Sequence, residues 1–230
     1  MIASMPSYAD QAVIPMVTNL EPIRFDSTEL VQTMNVVRSW TNGLPVFKNQ
    51  RMLLRELVKT DASTLPSVLR SEEVARFISP PPTTPAAFEK FIQWTLGERQ
   101  AGRQMAFGMV PDGYDHAVGL VQVRATAPDF SVAEWGFAVG SPFWGTGLFL
   151  ASARTTIDFA LQHTGVNRLE ARAAVENGRG NGALRKIGAV REMVLRGAFL
   201  KDGRYLDQNM WSIVASDWYQ LNVAPICTIH

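Results

Sequence analysis

The spacing of apolar residues along the chain predicts helices in its first half. Residues 51–58 have the composition of a strand, and a helix is expected from Asp61 to about Leu69. A second helix with apolar residues three and four positions apart ends near Gln100. Three consecutive prolines, Pro80 to Pro82, separate these helices because proline lacks an amide N–H and fixes φ.

The spacing changes to alternation after Gly102, which is typical of strands. Strands are predicted at 104–110, 117–124 and 131–139, and short polar turns between them indicate an antiparallel meander. The pattern then predicts a helix over 147–162, a strand over 168–175, a short helix over 181–187, and a hairpin of 190–200 and 204–214 around an Asp-Gly turn.

The two ends of the chain differ from this body. Residues 1–45 have a mixed pattern with several prolines and one predicted helix, Thr28 to Trp40. We therefore predict an N-terminal extension over 1–45, a main domain over 46–218 and a C-terminal tail over 219–230.

The sequence WGTG joins the third strand of the meander to the helix that follows. Gly145 and Gly147 have no Cβ, so the backbone can approach a ligand closely and turn its N–H groups toward an anion. A helix that begins there adds unpaired N–H groups and the positive end of its dipole. Such a turn suits a pyrophosphate, although a glycine turn before a helix is more often only a tight connection.

Composition excludes several classes of protein. The chain has 230 residues, 47% of them hydrophobic, and a net charge of +1, so it can bury a full core but has no basic field for nucleic acid. Its single Cys227 allows no internal disulfide and fits a reducing compartment. No apolar run approaches the roughly 18 to 20 residues that span a bilayer. The first residues of the chain include Asp10 and Glu21 and no early Lys or Arg, unlike the basic start of a signal peptide. We expect a cytoplasmic protein that binds neither nucleic acid nor membrane.

Two segments together resemble the GNAT superfamily of acyl-CoA-dependent N-acyltransferases, most closely its RimJ/RimL-like branch. The first is WGTGLF at 144–149, which is similar to that branch's tryptophan-glycine turn. The second is ENGRGNGALRKIGA at 176–189, which places five residues at the family's spacing: Asn177, Gly180, Leu184, Lys186 and Gly188. The resemblance extends from about Arg51 to Trp218.

The resemblance implies an α/β fold with a mixed, mostly antiparallel sheet, helices on both faces, and splayed fourth and fifth strands. It also implies acetyl-CoA as cosubstrate. No metal is expected, because His116, His163 and His230 are scattered without metal-ligand spacing. The pantetheine arm is expected along Phe137, Ala138 and Val139. The pyrophosphate is expected at Trp144, Gly145, Thr146, Gly147 and Leu148, with further cofactor contacts from Asn177, Gly180 and Lys186.

Glu134 matches an acidic position of the RimJ/RimL pattern, and we predict that it accepts the proton of an attacking amine, directly or through water. The predicted reaction is transfer of an acetyl group to a primary amine, on a protein N-terminus or a small molecule, by direct attack in a ternary complex. Cys227 lies outside the region of resemblance, so an acyl-cysteine route has little support. A homodimer is expected by analogy.

Departures from the family pattern leave alternatives open. Phe149 places a ring where the family keeps a small residue, and Leu184 replaces the tyrosine that protonates the departing thiolate in many relatives. A noncatalytic CoA-binding regulatory or interaction module is therefore an alternative, as is an interaction protein that uses residues 1–45. Asn177 could simply stabilise a turn. A nicotinamide-binding oxidoreductase is disfavoured because the glycines at 178–182 have the wrong spacing and come too late in the chain.

Overall fold

The computed structural model describes residues 39–222, and these form one eight-stranded sheet covered by helices. Along the sheet the strands follow the order β1-β2-β3-β4-β5-β6-β8-β7. Their bounds are β1 Phe47–Lys48, β2 Met52–Glu56, β3 Gln104–Pro111, β4 Gly119–Ala125, β5 Val132–Val139, β6 Arg168–Ala174, β7 Val190–Lys201 and β8 Arg204–Val214.

Six α-helices connect or flank these strands within the described residues. Their bounds are α1 Leu65–Leu69, α2 Glu72–Ala75, α3 Pro85–Gln100, α4 Leu148–His163, α5 Gly178–Ile187 and α6 Ala215–Asn222. Short 3₁₀ turns lie at Ser39–Asn42, Lys59–Ser63 and Ser141–Phe143. Among residues 39–222, no helix has both the length and the apolar character needed to cross a membrane.

All neighbouring strands pair antiparallel except β5 and β6, which pair in parallel. This parallel ladder is short: Val132, Ala133 and Glu134 face Arg168, Leu169 and Glu170, and the strands then diverge. These are the predicted fourth and fifth strands, because the two-residue β1 precedes the predicted first strand. The mixed, mostly antiparallel sheet and the predicted splay are confirmed.

Side chains of β3 show how the sheet is buried on both faces. One face carries Met105, Phe107 and Met109, which belong to a core cluster that includes Ile157 and Ala160 of α4. The opposite face carries Ala106 and Val110, which belong to a second cluster with Phe88 and Ile92 of α3. The predicted helices on both faces of the sheet are therefore confirmed.

Local structure departs from the sequence predictions at the starts of two helices. The helix predicted at 181–187 begins three residues earlier, because the Asn177 side chain caps it. Asp61 lies inside a 3₁₀ turn instead of preceding a helix, and its carboxylate accepts a hydrogen bond from the Val58 amide at 2.9 Å.

The start of the described chain packs on the domain body. Trp40 is buried, and its ring meets that of Phe130 edge-on with centroids 5.4 Å apart. The domain boundaries near residues 45 and 218 stay predictions. Most of the helix predicted at Thr28 to Trp40 lies outside the described residues.

Candidate active site

A cleft of about 860 Å³ opens between the end of β5 and the helix that follows β6. Its walls are the last residues of β5, the glycine turn, the first turns of α4 and α5, and residues 73–78 around α2. Divergence of β5 from β6 creates this space, since the two strands pair only as far as Glu134 and Glu170. The volume lies in the range of small-molecule and cofactor sites.

Three residues predicted to hold the pantetheine arm, Phe137, Ala138 and Val139, form the strand wall of the cleft. β4 pairs with one edge of β5 over this stretch. β6 does not pair with the other edge beyond Glu134 among the described strands. An extended ligand can therefore hydrogen-bond to that edge in the manner of an added strand.

The glycine turn has the backbone conformation that its sequence predicts. Gly145 and Gly147 have φ of 78° and 87°, in the left-handed region that side chains disfavour, and Gly147 is the N-cap of α4. The Thr146 hydroxyl donates to the Phe143 carbonyl at 2.8 Å and accepts from the Leu148 amide at 3.3 Å. The next N–H groups of α4 have no carbonyl within the helix to bond, which suits an anion.

Not all residues of the turn face the cleft. Trp144, Gly145 and Gly147 line it, whereas Thr146 is exposed outside it and Leu148 is buried in the core. The side chains of Thr146 and Leu148 thus stabilise the turn. A ligand in the cleft would contact the backbone of these two residues.

The second motif forms the opposite rim. Asn177 accepts a hydrogen bond from the Gly180 amide at 2.8 Å and thereby caps α5. A Cβ at Gly180 would lie 2.5 Å from Asn177 Nδ2, so the cap requires glycine there. Asn177, Gly180 and Lys186 also line the cleft, so the capping role and a ligand contact are both compatible with their positions.

Asn181 is a positioning residue that the sequence analysis missed. Its buried amide donates to the Ala174 carbonyl at 2.9 Å and accepts from Asn209 and from the Trp211 indole, each at 2.9 Å. These bonds tie the first turn of α5 to β6 and β8. The sequence could have indicated that Asn181 is buried, because it lies on the same face of α5 as Leu184 and Ile187, at three-residue spacing.

Glu134 is the last residue of β5 that pairs with β6, at the point where these two strands diverge. Its carboxylate accepts a hydrogen bond from Arg124 Nη2 at 2.9 Å, and 19% of its side chain is exposed. It is not among the residues that line the cleft. The structure therefore places it beside the site in an ion pair.

A second ion-pair group adjoins Glu134 through Glu170, its partner in the parallel ladder. Arg168 bonds Glu170 at 2.8 Å and Glu192 at 2.5 Å. The hydrogen bond from Arg168, followed by one from the Ser212 hydroxyl, lowers the pKa of Glu192 to about 2. Arginines thus flank the carboxylates at the point where the sheet opens.

Phe149 and Leu184, which both depart from the family pattern, have different surroundings. The Phe149 ring lies in the cleft wall against Phe137, with centroids 4.1 Å apart and ring planes at 38°. Leu184 is 1% exposed and packs in the core. Tyr205, a tyrosine at the start of β8, is 72% exposed and does not line the cleft.

The wall around α2 was not predicted as part of the site. It contributes one carboxylate, one guanidinium and three apolar side chains: Glu73, Val74, Arg76, Phe77 and Ile78. The Lys201 ammonium, on the β7–β8 hairpin, donates to the Ile78 carbonyl at 3.3 Å. No local sequence pattern marks this segment, because only its packing beside β5 brings it to the cleft.

Residues 51–190, which contain the glycine turn, the splayed strands and α5, match the model of the acetyltransferase (GNAT) domain. The chain belongs to the GNAT family. It is therefore an acyl-CoA-dependent acetyltransferase, a class that uses acetyl-CoA as cosubstrate. Within residues 39–222, no three His, Cys, Asp or Glu side chains are grouped to hold a metal ion.

Known proteins similar to this GNAT chain include the uncharacterized N-acetyltransferase p20 of Bacillus licheniformis. It is 24% identical over 170 residues, which are 74% of this chain and 96% of p20. Among solved structures, the ribosomal-protein-S5-alanine acetyltransferase of Vibrio fischeri has a TM-score of 0.69 at 18% identity and covers 76% of this chain and 98% of its own. Mycobacterium smegmatis RimJ in complex with CoA-disulfide has a TM-score of 0.67 at 19% identity, with 75% and 88% coverage. The fold is thus that of RimJ/RimL-like acetyltransferases.

Proposed function

We propose that this protein transfers the acetyl group of acetyl-CoA to a primary amine, on a protein N-terminus or a small molecule, by direct attack in a ternary complex. The observation that carries the proposal is one continuous cleft that joins the open edge of β5, the glycine turn and the start of α5. The open edge of β5 can hydrogen-bond to the amides of a ligand, and the N–H groups of the turn and of the helix start can bind its phosphates. Acetyl-CoA presents both chemistries on one molecule.

Charges along the cleft support the same ligand. Its lining includes three cations, Arg76, Arg179 and Lys186, and one carboxylate, Glu73. A fourth cation is close by, since Arg51 Nη1 lies 3.0 Å from the place where a Cβ would stand on Gly147. An excess of positive charge in a concave site attracts polyanions such as the phosphates of CoA.

The proton of the amine goes to Glu134 in this proposal, through a water molecule, and CoA departs as a thiolate that takes a proton from water. Glu134 lies where β5 and β6 diverge. Its carboxylate is bonded to Arg124 and does not line the cleft, so a water molecule is proposed to carry the proton between the amine and Glu134. Exchange of Glu134 for Gln should lower kcat/KM and flatten its fall at low pH, because a carboxylate accepts a proton only when it is ionised, with CoA affinity unchanged. Unchanged turnover across pH would remove Glu134 from the mechanism.

Glu73 is the matched comparison, because it is the carboxylate on the cleft wall itself. If Glu73→Gln, and not Glu134→Gln, abolishes the pH dependence, the base lies on the α2 wall. Both variants keep the side-chain shape, so differences report the charge.

The amine acceptor is proposed to enter along the wall formed by residues 73–78. A protein N-terminus is favoured because the structural neighbour from Vibrio fischeri is named as an acetyltransferase of a ribosomal protein's alanine. The proposal is tested by thiol release from acetyl-CoA with a panel of peptides that begin with Ala, Ser or Met, an acetylated control peptide, and small amines. Binding of CoA without thiol release on the whole panel would favour the noncatalytic CoA-binding module instead.

We also propose that the protein is a cytoplasmic homodimer that uses the outer edge of β7. This strand ends the sheet, and its side chains Val190, Met193, Val194 and Leu200 are exposed although apolar. Such an edge favours pairing with another chain. Light scattering coupled to size exclusion should give a mass of two chains, and Met193→Lys should reduce it to one; a monomeric wild type contradicts the dimer.

A further inference from the structure

The cleft mouth is bridged by a contact between two residues that come from its opposite rims. Arg179 belongs to the first turn of α5, which follows β6, whereas Trp144 follows β5. The Arg179 Cζ atom lies 4.1 Å from the centroid of the Trp144 ring. Both residues line the cleft, so the guanidinium is held over the entrance of the glycine turn.

Trp144 is a fixed platform for this cation. Its indole Nε1 donates to the Val139 carbonyl at 2.9 Å, and its ring packs on both core clusters of the domain. The next residue is Gly145, whose backbone opens the turn. The position of the indole is therefore set by the same two segments that form the strand wall and the anion-binding turn.

Arg179 itself is exposed, and among the described residues no carboxylate forms a salt bridge with it. A guanidinium over an aromatic ring is attracted through its positive charge, which leaves N–H groups able to donate to a ligand. Those donors match two oxygens of a phosphate in a bidentate pair. The contact with Trp144 thus places Arg179 at the cleft and leaves hydrogen-bond donors for a phosphate.

We propose that Arg179 is a ligand for a phosphate at the nucleotide end of CoA, held in place by Trp144. The inference rests on the proposed function, because it assigns one charged side chain to the cofactor of that reaction. Backbone amides of the glycine turn cannot supply a full positive charge, and Arg179 supplies it at the adjoining position. The phosphate is either the pyrophosphate or the 3′-phosphate, and the two are separable by experiment.

Calorimetric titration of CoA and of dephospho-CoA, which lacks the 3′-phosphate, into the full chain tests this assignment. The variants are Arg179→Ala, Arg179→Lys and the control Arg185→Ala, an exposed arginine of the same helix that does not line the cleft. Arg179→Ala should weaken CoA binding by roughly 10-fold or more, the scale of a charge-assisted hydrogen bond. Arg179→Lys should fall between wild type and Arg179→Ala, and Arg185→Ala should match wild type.

A loss seen with CoA but not with dephospho-CoA assigns the 3′-phosphate, and an equal loss with both assigns the pyrophosphate. In either case the loss should shrink at high salt, because Arg179 is exposed to screening ions. CoA affinity equal to that of Arg185→Ala, or a loss that salt does not change, overturns the inference while leaving the proposed function intact. If the wild type binds no CoA at all, the proposed function and this inference both fail.

Discussion

Phe149 lies on the cleft wall where the pantetheine arm is proposed to bind, which makes it the sharpest perturbation of the cleft. Its ring rests on Phe137 with centroids 4.1 Å apart, on the wall where the pantetheine arm is proposed to bind. We expect the arm and the ring to compete for this place. Phe149 would then leave Phe137 when CoA occupies the edge of β5.

The expected effect of Phe149→Ala follows from the contact that has to be broken. An aromatic pair of this geometry contributes about 0.5 to 1.5 kcal/mol beyond the area it buries. Wild type loses that contact on binding CoA, whereas the alanine variant has none to lose. We expect Phe149→Ala to bind CoA about 2- to 10-fold more tightly than wild type.

Isothermal titration with two ligands isolates the cause. Adenosine 3′,5′-bisphosphate lacks the pantetheine arm, so its affinity should be the same for wild type and Phe149→Ala. Leu150→Ala is the matched control, because Leu150 lines the same cleft from the same helix and forms no ring pair. Unchanged or weaker CoA binding by Phe149→Ala would refute the reasoning, since the ring would then not obstruct the arm.

Three further substitutions test the scaffold of the site. Burial raises the pKa of the Asp61 carboxyl, but hydrogen bonds from Arg55 and two backbone amides outweigh this and hold the pKa below its ordinary value of 3.8. Asp61→Asn should cost about 3 kcal/mol in urea unfolding at pH 7, and this difference should fade as the pH drops below about 4; a constant difference contradicts it. Gly147→Val should weaken CoA binding and lower stability by about 1 to 2 kcal/mol because φ is 87°, whereas Gly165→Val, at φ 81° after the opposite end of α4, should cost stability alone. Asn181→Ala should cost about 2 kcal/mol in thermal unfolding because it removes buried hydrogen bonds, and a near-zero cost would refute its positioning role.

Features fixed by neighbouring residues could be predicted from the sequence. The glycine turn depends on Gly145 and Gly147, which alone among residue types adopt positive φ without strain. The hairpin of β7 and β8 follows from Asp202 and Gly203, both with positive φ in the structure. The splay of β5 and β6 was predicted from the family resemblance, since no residue on either strand indicates it.

Features that depend on packing between distant segments could not be predicted. The Phe149 ring lies in the cleft because it packs against the ring of Phe137, which belongs to a different element. The Arg179–Trp144 contact joins residues 35 positions apart and exists only because β5 and β6 bring their following turns together. The ion pair of Arg124 and Glu134, in contrast, could have been predicted from the sequence, since those residues face each other in the predicted β4–β5 hairpin.

The central claim is that the splayed cleft binds CoA, and a crystal structure of the protein with CoA tests it most directly. We expect the pyrophosphate within hydrogen-bonding distance of the Gly145–Leu148 amides, the pantetheine arm along Phe137 to Val139, and the Phe149 ring moved away from Phe137. CoA bound outside this cleft, or Phe149 still resting on Phe137 beside a bound cofactor, would contradict it.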